Sequence, residues 1–130
     1  MNYRIAEKDG LTVVSIEGEI CNATQDDFMV CLNDLCDSSG CRTVLLDMEK
    51  VSYLNSAGLG MIIDTFMKFR EKGGQLILCG LIQDINRLLE ATRLNRFIQI
   101  YPSVDDALQT ICSVAVTGEA FSGIMQQEVV

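Results

Sequence analysis

The residues best placed to do chemistry lie in one stretch, Val51-Ser52-Tyr53-Leu54-Asn55-Ser56-Ala57-Gly58-Leu59-Gly60. Ser56 stands just before an apolar stripe at helical spacing, Leu59, Ile62, Ile63, Phe66 and Met67, which is the position of a helix N-cap. A helix N-terminus exposes unpaired N–H groups and a partial positive charge. A phosphate on Ser56 is therefore tolerated locally, and it adds about −1.5 to −2 charges at neutral pH. On a contact surface that charge repels a partner fitted to a small neutral hydroxyl, so the fold persists while the interface fails. Ala57, Gly58 and Gly60 are small enough for another chain to approach the backbone closely. The competing explanation is structural. Serine is a preferred N-cap worth about 1 kcal/mol, and glycines also permit tight helix–sheet packing. Taken alone, the local sequence favours that structural explanation.

Little else in the chain has catalytic character. It contains no histidine and no C-x-x-C pair among its six cysteines, Cys21, Cys31, Cys36, Cys41, Cys79 and Cys112, so neither a zinc site nor any other metal site is expected. Cys31 and Cys79 sit among apolar residues, where thiols act as small core hydrophobes. Cys21 is the one thiol expected near the surface. Asp47, at the expected end of a strand, is equally suited to contact a partner or to hold neighbouring backbone N–H groups. Asp26 and Asp27 match a helix-start dipole, and Asp64 with Lys68 reads as a surface i, i+4 ion pair. Gly58-x-Gly60 lacks the further glycine of a dinucleotide loop. No nucleophile–base pair is apparent, so no catalytic residue, enzyme activity or cofactor is expected.

The elements that must position Ser56 follow from periodicity. Asp9-Gly10 marks a hairpin turn between Tyr3–Lys8 and Leu11–Ile16, with Gly18 ending the second strand. Thr24 with Asp27 resembles a capping box ahead of a helix whose buried stripe is Phe28, Cys31, Leu32 and Leu35, stopped at Asp37-Ser38-Ser39-Gly40. Thr43–Leu46 and Leu76–Cys79 are unalternated apolar runs, the pattern of strands covered on both faces or lying central in a sheet. The helix after Ser56 joins them and closes at Gly73-Gly74, giving a strand–helix–strand crossover. A third helix starting near Gln83 or Asp84 carries Ile85, Leu88 and Leu89. Phe97–Tyr101 reads as a strand, and Ser103 caps a fourth helix bearing Val104, Ala107, Leu108 and Ile111.

Composition sets the outer bounds. The chain has 130 residues, 48% of them apolar, a single proline and a net charge of −8. That describes one globular domain with a feasible core. No apolar run approaches the ~20 residues needed to span a bilayer, and the polar N-terminus lacks a signal-peptide core, so no membrane insertion and a cytoplasmic location are expected. Strong acidity without a basic cluster argues against direct nucleic-acid binding.

The segment from Asp47 to Gly60 resembles the signature of STAS domains, the family of bacterial anti-sigma factor antagonists. Its pattern is a strand ending in Asp, a spacer, then Asp-Ser-(Ser/Ala)-Gly-Leu at a helix start. Val14-Ser15-Ile16-Glu17-Gly18-Glu19-Ile20 resembles the family's second strand, and Gly73-Gly74-Gln75-Leu76-Ile77-Leu78-Cys79-Gly80 a later one. Arg93–Tyr101 with Ser103–Leu108 resembles its ending, so the likeness runs from about residue 3 to residue 112. Two positions depart from the pattern: Asn55 replaces the Asp before the serine, and Cys21 the Asp after Gly-Glu-Ile.

The resemblance implies an α/β, STAS-like fold: a mixed β-sheet of about five strands with about four α-helices packed against it. The domain would cover residues 1–115, followed by a tail, 116–130, of unknown role. It implies binding to an anti-sigma factor that is also a serine kinase, phosphorylation at Ser56 that ends binding, and reversal by a PP2C-type phosphatase. The partner-binding residues would be Cys21, Asn22, Asp47, Asn55, Ser56, Ala57, Gly58 and Leu59. The alternative is a STAS subunit that does not switch, within a transporter, lipid-transport or stress-sensing assembly. The lost Asp before Ser56 and the extra tail favour that alternative somewhat.

Overall fold

A computed structural model describes residues 1–39 and 43–111. The expected tail, 116–130, lies outside the described residues, as do Cys41 and Cys112. Five strands form one sheet in sequential order: β1 (Asn2–Lys8), β2 (Leu11–Ile20), β3 (Thr43–Leu54), β4 (Gln75–Cys79) and β5 (Ile100–Tyr101). β1 pairs antiparallel with β2, and the remaining neighbours are parallel. The helices are α1 (Gln25–Ser39), α2 (Ser56–Glu71), α3 (Gln83–Ala91) and α4, over 104–111. This is the mixed-sheet α/β architecture expected.

The sheet is covered on both faces at β3 and β4, which explains their unalternated runs, whereas β1 is exposed throughout. Val44, Leu46, Leu76 and Leu78 join one core with Phe28, Leu32 and Leu35 of α1, Leu59, Ile62, Phe66 and Phe69 of α2, and Ile85 and Leu89 of α3. Leu45, Ile77 and Cys79 point the other way, onto Ala107 of α4 with Val104, Leu108 and Ile111 around it. Asp9 and Gly10 both adopt positive φ, 52° and 81°, as a two-residue hairpin turn requires. Ser103 caps α4 by accepting the Asp106 N–H at 3.1 Å.

Several boundaries differ from expectation. Gly18 does not end β2. The strand continues to Ile20, and Gly18, at φ 120°, marks a shift in register. Likewise β3 continues past Asp47 to Leu54. It carries one residue more than β2 between the pairs Ser15↔Asp47 and Glu17↔Lys50, and again between Gly18↔Val51 and Glu19↔Tyr53. These bulges bend the strand and break the alternation by which a strand is recognised in sequence. Phe97 is 65% exposed and follows a 3₁₀ turn, Leu94–Arg96, so β5 shrinks to two residues. Met67 faces solvent, and Phe69 completes the buried stripe of α2 instead.

Candidate functional site

The parallel register of β2 and β3 ends on Ile20↔Leu54, which brings two chain segments together beyond the strand ends. One is the turn Cys21–Thr24 leading into α1; the other is Asn55, the single residue between β3 and α2. The Asn55 N–H donates to the Ile20 carbonyl at 3.0 Å, tying the two segments by their backbones.

Asn55, not Ser56, is the N-cap of α2. Its backbone is extended, at φ −83° and ψ 174°, and its Oδ1 accepts the Gly58 N–H at 2.7 Å. The amide oxygen has the reach to cap the third helical residue, as Asn commonly does. Ser56 therefore occupies the first helical position. It is exposed, and its hydroxyl makes no hydrogen bond among the described residues. The expected capping box at Thr24 also takes another form. The Thr24 hydroxyl donates to the Glu19 carbonyl at 2.7 Å and accepts the Cys21 N–H at 3.0 Å, closing the turn before α1.

Asn55 makes two further bonds through its amino group. Nδ2 donates to Asn22 Oδ1 at 3.3 Å and to Gln25 Oε1 at 3.2 Å. Asn22, Asn55 and Ser56 are thus brought together, with Cys21 in the same turn. Ala57 is exposed beside Ser56, whereas Gly58 and Leu59 are buried. A Cβ on Gly58 would come within 2.7 Å of both Ile20 Cγ2 and Leu54 Cδ1, so this glycine lets α2 sit tightly on the sheet. On Gly60 an added Cβ meets nothing within 4 Å.

Asp47 stands apart from this group. It lies in β3 seven positions before Leu54, roughly 20 Å along a strand at 3.3 Å per residue. Its Oδ1 accepts the Glu49 N–H at 3.1 Å, and its Oδ2 faces the Ser15 hydroxyl at 3.5 Å. It borders a shallow groove with Arg4, Ser15, Glu49 and Lys50, none of them neighbours of Ser56. Of its two expected roles, holding a backbone N–H is the one observed.

Two residues at the site escape pattern reading. Gln25, the first residue of α1, joins the amide cluster only through the fold. Tyr53, within the stretch around Ser56 but given no role there, stands half exposed one residue before the end of β3. The half-exposed Cys21 thiol is shifted below its ordinary pKa, chiefly by the Thr24 hydroxyl at 3.7 Å. Burial pushes Cys31 up to about 11 and Cys79 up to about 12. Among the described residues no cluster of His, Cys, Asp or Glu could hold a metal ion, and no helix is long and apolar enough to cross a membrane.

Fold and site together define an α/β domain that presents one unengaged serine at the start of a helix, beside a neutral amide cluster. The chain belongs to the STAS domain family, whose profile matches residues 2–107. The anti-sigma F factor antagonist of Paenibacillus polymyxa is 25% identical over 99 residues, 76% of this chain and 85% of that protein. The crystal structure of an anti-sigma factor antagonist from Mycobacterium paratuberculosis is similar at a TM-score of 0.76 and 25% identity, covering 85% of this chain and 93% of that one. The Bacillus cell fate determinant SpoIIAA in its phosphorylated form shares the fold at a TM-score of 0.65 and 13% identity, over 85% of this chain and 99% of that one.

Proposed function

We propose that this protein is a cytoplasmic anti-sigma factor antagonist that works by partner switching. In the unmodified state the start of α2 and the neighbouring turn dock on an anti-sigma factor with serine-kinase activity, displacing a sigma factor. The kinase transfers the γ-phosphoryl group of ATP to the Ser56 oxygen, forming the Oγ–P bond as the bond to ADP breaks and the hydroxyl proton is lost, and the protein dissociates. A PP2C-type phosphatase then hydrolyses the phosphoester. The protein itself is ligand and substrate, not catalyst.

The observation that carries this reading is the free hydroxyl of Ser56. Because Asn55 does the capping, Ser56 has no structural hydrogen bond to lose and can be modified without unfolding the helix. A phosphate at the first helical position sits near the unpaired N–H groups of the first turn, so the fold tolerates it. Its charge of about −1.5 to −2 falls on a surface that is otherwise uncharged at Asn22, Asn55 and Ala57. A partner packed there must accommodate an anion in place of a hydroxyl, and binding weakens.

The test is a titration of Ser56→Ala and Ser56→Asp against serine-kinase anti-sigma factors of the same genome, together with the mass of the wild type after incubation with each kinase and ATP. The expected result is persistent binding by Ser56→Ala, weak binding by Ser56→Asp, and a gain of one phosphate confined to Ser56. Equal affinities of the two variants, with no phosphate gained, would refute the switch.

A further inference from the structure

The amide cluster beside Ser56 has a defined direction. Gly58 N–H must be met by an acceptor, so Asn55 Oδ1 faces the helix and Nδ2 faces away from it, toward the turn. Nδ2 is a donor only, so Asn22 and Gln25 must both turn their oxygens inward. Their amino groups then point away from Asn55. Neither amino group donates to anything among the described residues. Asn22 is exposed and Gln25 is partly so. Two unspent donors therefore stand on the rim that also carries the free Ser56 hydroxyl.

We infer that Asn55 is a positioning residue: it fixes Asn22 and Gln25 as outward hydrogen-bond donors, so that the partner docking over Ser56 is one presenting acceptor oxygens, carbonyl or carboxylate, to this rim. The inference rests on the reading of Ser56 as partner-facing and adds the chemistry of the contact. An aspartate at position 55 would still accept the Gly58 N–H, but it offers no donor to the turn. Asn22 and Gln25 would then turn over to donate inward, presenting oxygens outward. One atom at position 55 thereby sets whether the rim donates or accepts. The residue acts on partner choice through its two neighbours, without touching the partner.

The experiment uses Asn22→Asp, Gln25→Glu and Asn55→Asp in the full chain. In the first two the inward oxygen is kept, while the outward amino group becomes a carboxylate oxygen, which removes the donor and adds one negative charge. Each is expected to raise the KM of the phosphorylating anti-sigma kinase for this protein by about tenfold, the loss of one intermolecular hydrogen bond with an unpaired acceptor left behind, and to leave the thermal midpoint in place. Asn55→Asp is expected to give a similar rise. In side-chain amide NMR spectra, its Asn22 and Gln25 amino protons should become protected from exchange, whereas in the wild type they exchange freely. A lowered thermal midpoint with unchanged KM would make the cluster merely structural and overturn the inference while leaving the Ser56 switch intact. So would amino protons of Asn22 and Gln25 protected already in the wild type. If no kinase modifies the wild type, the functional reading fails, and the partner contact inferred from it fails with it.

Discussion

At the scale of single residues, Asn55 and Ser56 divide two jobs that one serine would otherwise combine. Asn55 stabilises the helix start, and Ser56 is left free for modification. This division makes opposite forecasts for two alanine variants. Asn55→Ala should lower stability by about 1 kcal/mol, the ordinary cost of a lost N-cap, and more if the Ile20-side turn loosens with it. Ser56→Ala should stay within about 0.5 kcal/mol of the wild type, as expected for an exposed residue without partners. Urea unfolding at neutral pH measures both, and the reverse order would restore Ser56 as the cap. The missing carboxylate at position 55 is thus not a gap in the site. An amide can cap the helix and donate to the turn at once, and a carboxylate cannot.

At the scale of elements, the first turn of α2 sits tightly on the sheet. Gly58 packs against Ile20 of β2 and Leu54 of β3, where an added Cβ would meet two methyl groups at 2.7 Å. Gly58→Ala should therefore destabilise the protein by about 1–3 kcal/mol through overpacking. Gly60, two residues further on, has open space around it. Gly60→Ala should stabilise by about 0.5–1 kcal/mol, since alanine loses less backbone freedom than glycine in a helix. Thermal or urea unfolding of the pair separates the roles. The small residues that looked alike in sequence as room for a partner are here distinct: Gly58 serves internal packing, and only Ala57 and Gly60 remain open to an approaching chain.

At the scale of the whole molecule, the sheet divides two cores that both contain buried thiols: Cys31 and Cys36 on the face covered by α1, α2 and α3, and Cys79 on the face covered by α4. Cys31 and Cys79 are the most deeply buried of them. Burial keeps both thiols protonated, with Cys31 pushed up to about 11 and Cys79 up to about 12 from an ordinary value of 9.0. In the unfolded chain both ionise once pH passes 9, while in the folded protein they resist. Their contribution to stability is therefore full below pH 9 and is lost as pH rises from 9 toward 11 and 12. The thermal midpoint should fall over that window, and less steeply in a Cys31→Val, Cys79→Val double variant, which has no thiol to ionise at either site. An identical decline in both proteins would mean that the thiols play no part in it.

Local chemistry determined much of this molecule in advance. Asp9-Gly10 could only be a tight turn, Phe28, Leu32 and Leu35 could only be one face of a helix, and the runs at Thr43 and Leu76 required cover on both sides or a central place in a sheet. The stretch around Ser56 was recognisable because a strand, small residues and an apolar stripe follow one another there within a single segment. What the chain order could not reveal was the length of β3, whose bulges erase the alternation that marks a strand. Nor could it reveal which residue caps α2, since Asn55 and Ser56 are both good caps and only backbone geometry separates them. The link from Asn55 to Asn22 and Gln25 was equally hidden, because it spans some thirty positions and exists only once the register of two parallel strands brings their ends together. Propensity acts between near neighbours, whereas a site built across strand ends depends on contacts that only the folded sheet creates.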